Sequence, residues 1–103
     1  MKMTVKLSKI QMKLINDAKE SPWVHPKPNQ YVAMSKLVTL GVFRLNAFNL
    51  EANTKGFEYT KGSYVLTDFG AEILRQLIKL SWSKDWDQQT VEITNNGPTV
   101  VVD

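Results

Sequence analysis

His25 is the only imidazole in the chain and cysteine is absent, which leaves little with which to run a reaction. A metal triad needs three converging ligands, and a serine nucleophile needs a base that is itself oriented by a third group; a lone histidine supplies neither. His25 therefore reads as a structural or an idle residue. Asp85 and Asp87 flank Trp86, but carboxylates two residues apart on an exposed segment are not thereby brought together with a raised pKa. No glycine-rich phosphate loop is present. These residues argue against an enzyme and give no reason to expect a metal or another cofactor. The lack of cysteine also excludes disulfides and thiolate sites, so nothing points to an oxidising compartment.

What remains is charge and hydrogen-bonding side chains. The net charge of +3 over 103 residues conceals an asymmetry: positions 1 to 61 carry ten Lys or Arg against four acids, and positions 62 to 103 carry three against six. A basic part favours polyanions such as nucleic acid and an acidic part repels them, although lysine is also the ordinary solubilising residue. A hydrophobic content of 43% suffices for one core. The longest apolar runs fall far short of the roughly 18 residues that span a bilayer, and no apolar signal-peptide core follows Met1 to Lys6. The expectation is one cytoplasmic protein without a membrane segment.

The elements that must position these side chains are legible from their punctuation. Ser8 and Gln11 form an S-x-x-Q capping box flanked by Leu7 and Met12, so a helix begins at Lys9, with Ile10, Leu14, Ile15 and Ala18 as its apolar stripe. Pro22, Pro26 and Pro28 make residues 21 to 29 a loop or a short extended piece. Asn29 fits the N-cap of a helix over 30 to 40, and Gly41 its left-handed C-terminal cap. Ala33, Met34, Leu37 and Leu40 share one side of that helix; Tyr31, Val32, Ser35, Lys36 and Thr39 share the other. Phe43, Leu45 and Ala47 then alternate as a strand, and a second strand runs from Phe57 to Leu66 across a loop at 51 to 56. The alternation slips near Ala47 and Phe48, and Lys61-Gly62 interrupts the second run, so a bulge or an extra turn is expected. Thr67 caps a helix from Asp68 to about Leu80, whose stripe of Phe69, Ile73, Leu77 and Leu80 is widened by Leu74 and Ile78. After Trp82 and Trp86, residues 90 to 94 and 99 to 102 read as a hairpin around Asn95-Asn96-Gly97-Pro98.

The segment Leu37-Val38-Thr39-Leu40-Gly41-Val42-Phe43, followed after two strands by Leu66-Thr67-Asp68-Phe69-Gly70, resembles the winged-helix superfamily and is similar to bacterial regulators of the multiple-antibiotic-resistance type. In that family an L-x-x-L-G-[LV]-[IVF] segment closes the recognition helix, and L-T-x-x-G leaves the wing. The likeness covers about residues 7 to 80. It implies an α+β, winged helix-like domain over residues 1 to 80 with a two- or three-stranded wing; residues 81 to 103 are left as a C-terminal tail, with a hairpin that can pack on it. One departure is plain: the proline-rich loop stands where the family has the first helix of the helix-turn-helix, the one that crosses the DNA backbone.

By that resemblance, Tyr31, Ser35, Lys36 and Thr39 would face base edges or phosphates of double-stranded DNA, with Asn29 and Gln30 near the helix start. Arg44, Lys55 and Lys61 would sit on the wing. The plainer reading of all of them is a solvated surface. Trp23 would stack on a base, anchor a partner or fold back over the core. Two functions stay open: a small DNA-binding transcriptional regulator, or a bacterial or phage adaptor or inhibitor that turns the same fold towards another protein. Leu74 and Ile78 suggest a homodimer through the last long helix, unless the tail covers them within one chain.

Overall fold

Met3, Val5 and Leu7 alternate with Thr4 and Lys6, and a side-chain period of two places the first set on one side of an extended segment. In a computed structural model of the chain this segment is the first element. The structure describes residues 2–21, 23–52, 58–81 and 86–101, with side chains outside 47–52 and 58–61. The order is β1 (Met3–Ser8), α1 (Lys9–Asp17), a 3-10 turn (Pro28–Gln30), α2 (Tyr31–Thr39), β2 (Phe43–Ala52), β3 (Glu58–Leu66), α3 (Asp68–Lys79), β4 (Gln88–Thr94) and β5 (Gly97–Val100). Two antiparallel sheets accompany the helices: β1-β4-β5, and the β2-β3 hairpin. The architecture is α+β.

No element was expected before residue 7. A strand at one terminus becomes recognisable only through its partner, and here the partner is β4: Val5 lies opposite Val91 and Leu7 opposite Gln89. The tail hairpin is present, its two strands joined through Asn95 and Asn96, and it carries Val91 and Val100 into the same core as Leu7, Met12 and Phe43.

The capping box of α1 forms as expected. Ser8 Oγ accepts the Gln11 N–H at 3.2 Å, and Gln11 Oε1 accepts the Ser8 N–H at 2.9 Å. Its apolar stripe is rotated from the expected one: Ile10 is 44% exposed, because Met12, Leu14 and Ile15, with the Gln11 stem, fill the buried arc and Ile10 falls beside it. After the loop, Asn29 is not an N-cap. Pro28 opens a 3-10 turn at no cost in lost donors, and the Gln30 side chain accepts the Lys27 N–H at 2.9 Å, so the α-helix proper starts at Tyr31. Val24 in the loop exchanges two backbone hydrogen bonds of 2.9 Å with Tyr64, adding a one-residue third strand beside β3.

The end of α2 and the start of α3 meet. Gly41 has φ +84°, its N–H bonds the Val38 carbonyl at 3.0 Å, and the Val42 N–H reaches the Leu37 carbonyl at 2.9 Å, which together make a Schellman cap. The Thr67 hydroxyl donates to the Gly41 and Val42 carbonyls and accepts the Gly70 N–H, so one side chain ties the two helix ends together. Gly70 has no room for a β-carbon, which would lie 2.2 Å from the Val42 oxygen. The two segments that carry the family resemblance are thus in direct contact.

The hairpin shows the expected register break, between Leu45 and Ala47, but β3 runs through Lys61-Gly62 without interruption. Leu45 is 44% exposed although it shares a face with the buried Phe43; it lies farther along the hairpin, beyond the core. On α3, Leu74 is enclosed with Ile73 and Leu77 in the chain's own core, so it is not part of a free apolar face; Ile78 alone, 46% exposed, stays outside. The cover comes from within: Trp86 packs on the core, and Gln76 holds β5 by donating from Nε2 to the Pro98 carbonyl at 2.8 Å and accepting the Val100 N–H at 2.7 Å. Among the described residues no helix is long and apolar enough to cross a membrane.

Candidate nucleic-acid interface

The buried pair Met34 and Leu37 fixes the rotation of α2, and at 100° per residue the opposite arc must turn outward. Val32, Ser35, Lys36 and Thr39 are accordingly exposed, and Tyr31 is half-buried at the helix start. The Thr39 hydroxyl donates back to the Ser35 carbonyl at 3.1 Å, which leaves its oxygen able to accept.

This face does not stand alone. It forms one wall of a groove of about 630 Å³ whose other wall is Val5 and Lys6 of β1, with Gln11 at its base. Successive residues of a strand point to opposite sides, so a groove touched by both Val5 and Lys6 runs along the strand's edge. Lys6 and Lys36 reach it from two elements far apart in sequence, and no carboxylate is among its described lining residues. Lys6 is the part of the surface that sequence reading missed. Its signal was the alternation of Val5 and Leu7 around it, which identifies the strand only once β4 is known to pair with it.

The remaining candidates separate. Asn29 is exposed within the 3-10 turn. Gln30 is 8% exposed with its Oε1 engaged by Lys27, so it offers little to a ligand. Arg44 is exposed near the base of β2, opposite Val65. Lys61 lies in β3 opposite Asn49, its side chain outside the described ones, and Lys55 lies outside the described residues altogether. Trp23 does not fold over the core: it is 45% exposed at a second groove, against α1. Of the residues named for catalysis, His25 is exposed in the same groove, Asp87 is exposed, and Asp85 lies outside the described residues. Among the described residues no cluster of three or more acids and histidines could hold a metal ion. No family model, curated protein or solved structure matches the chain.

Proposed function

We propose that this is a winged-helix-type DNA-binding domain of a small transcriptional regulator, with α2 as the recognition helix and the β2-β3 hairpin as the wing. The observation that carries the reading is the surface shared by α2 and β1, where Lys6 and Lys36 lie beside Tyr31, Ser35 and Thr39 with no acid among the described lining residues. Such a surface matches a phosphate backbone with base edges behind it. The element order supports it too. A helix, a one-residue strand contact at Val24, a turn, a second helix and a hairpin follow one another as in a winged helix, with the 3-10 turn at Pro28–Gln30 in place of the positioning helix.

The test is fluorescence anisotropy with mixed-sequence duplex DNA at two salt concentrations. Binding should weaken steeply with salt, by about 0.9 of a log unit per log unit of salt for each phosphate neutralised. Lys36→Glu combined with Arg44→Glu should abolish it while leaving the melting temperature nearly unchanged, since both side chains are exposed. A wild type that fails to bind even at low salt refutes the reading. One observation favours the adaptor instead: Val32, 71% exposed, sits in the groove with Val5 and Leu40 and gives it an apolar strip suited to a protein ligand.

A further inference from the structure

The exposed face of α1 carries its charges in two blocks. Lys9 and Lys13 lie on its first half, and Asp17 and Glu20 at and just beyond its end, all four exposed. At 100° per residue these positions, with Asn16, fall within one arc and form a single stripe about 18 Å long from Lys9 to Glu20. The backbone continues that line past the helix, since the N–H groups of Ala18, Lys19 and Glu20 bond back to Ile15, Asn16 and Asp17. None of the four charges has an ion-pair partner among the described residues, where the pairs are Lys2–Glu92 and Arg75–Glu72.

The order of the blocks opposes the helix itself. A helix is positive at its N-terminus and negative at its C-terminus, so lysines at the start and acids at the end are each on the unfavourable side. The first turn holds no acid and the last turn no base. A second copy of the same helix, laid antiparallel across a two-fold axis near the middle of the stripe, would set Lys9 against Glu20 and Lys13 against Asn16 and Asp17, twice over. Such a pattern is self-complementary, as an isologous interface requires.

The stripe also borders a concave surface with an anchor of the right kind. Between α1 and residues 21 and 23 to 25 runs a groove of about 840 Å³, lined by Lys9, Lys13, Asp17, Glu20 and the half-exposed Trp23. Tryptophan is among the residue types enriched where protein interfaces draw their binding energy. We propose that this face is a homodimer interface in which α1 packs antiparallel against α1 of a second copy, with Trp23 at its margin. The proposal is independent of DNA binding and stands or falls without it.

The test reverses one charge block at a time and measures mass by sedimentation equilibrium at high micromolar concentration and low salt. The wild type should be a dimer whose affinity falls at least tenfold at high salt, as expected for exposed ion pairs. Lys9→Glu with Lys13→Glu makes the stripe all acidic, and Asp17→Lys with Glu20→Lys makes it all basic; each variant alone should be monomeric. An equimolar mixture of the two should dimerise at least as tightly as wild type, because both ends are then complementary. Trp23→Ser should weaken the wild-type dimer several-fold. A monomeric wild type, a reversed variant that dimerises undiminished, or a mixture that stays monomeric while both variants show native circular dichroism would each overturn the interface. Should a reversed variant fail to fold, Lys9→Gln with Lys13→Gln carries the same expectation of a weakened dimer.

Discussion

Helices α1 and α3 begin alike and then use their charges in opposite ways. Both are capped by a hydroxyl one residue before the helix, Ser8 for α1 and Thr67 for α3, and each bonds the N–H three residues on. Along α3, Asp68 and Glu72 come first and Arg75 and Lys79 last, which suits the dipole. Glu72 pairs with Arg75, and its carboxyl is held below the usual range, first by the Gln76 amide hydrogen bond and then by Arg75 and Lys79. The charges of α3 thus support α3. Those of α1 are reversed and unpaired among the described residues, so they work against the dipole of their own helix. A sequence bears such a local conflict where a surface has another use.

The comparison can be broken or sharpened by substitution. The largest effect is expected at the α3 anchor: Gly70→Ala sets a methyl against the Val42 carbonyl and should cost about 3 kcal/mol of unfolding free energy in urea titrations, with separation of the α2 and α3 ends. An unchanged midpoint would mean that the two helix ends are not held as described. Next is Gly41→Val, which puts a branched side chain at φ +84° and should cost about 1 to 2 kcal/mol by thermal melting. Ser8→Ala removes half of the α1 capping box and should cost about 1 kcal/mol, and the double variant with Gln11→Ala should cost less than the sum of the two singles, because the bonds are reciprocal. The smallest effects are the most diagnostic. At dilute concentration Lys9→Glu should stabilise the chain and Asp68→Lys destabilise it, each by about 0.3 to 1 kcal/mol, with opposite signs that fade in high salt. Equal signs would remove the contrast between the helices.

Much of this was legible because it is local. The Ser8–Gln11 box, the Thr67 cap, the left-handed Gly41 and the break near Ala47 are decided by neighbours within a few residues, and all are where the spacing puts them. The outward face of α2 followed from Met34 and Leu37 in the same way. What the spacing could not supply was contact between distant parts of the chain. β1 needs β4, some 85 residues later, before Lys6 can be placed beside Lys36. The fate of Leu74 likewise depended on the tail hairpin, whose packing against α3 is a tertiary fact. The role of Pro28 was missed for a different reason: an asparagine before a helix has two compatible uses, and the proline just ahead of it selected the turn.

The Gln76 side chain has a consequence for how the larger sheet ends. Strand β5 is the margin of the order β1-β4-β5, and a margin normally presents free amide and carbonyl groups to any passing chain. Here the carboxamide of Gln76 takes the position that a neighbouring peptide group would occupy, donating to Pro98 and accepting from Val100. Pro98 also has no N–H to offer. Among the described residues the margin is therefore closed at Pro98 and Val100 of β5, and the sheet's other margin is β1.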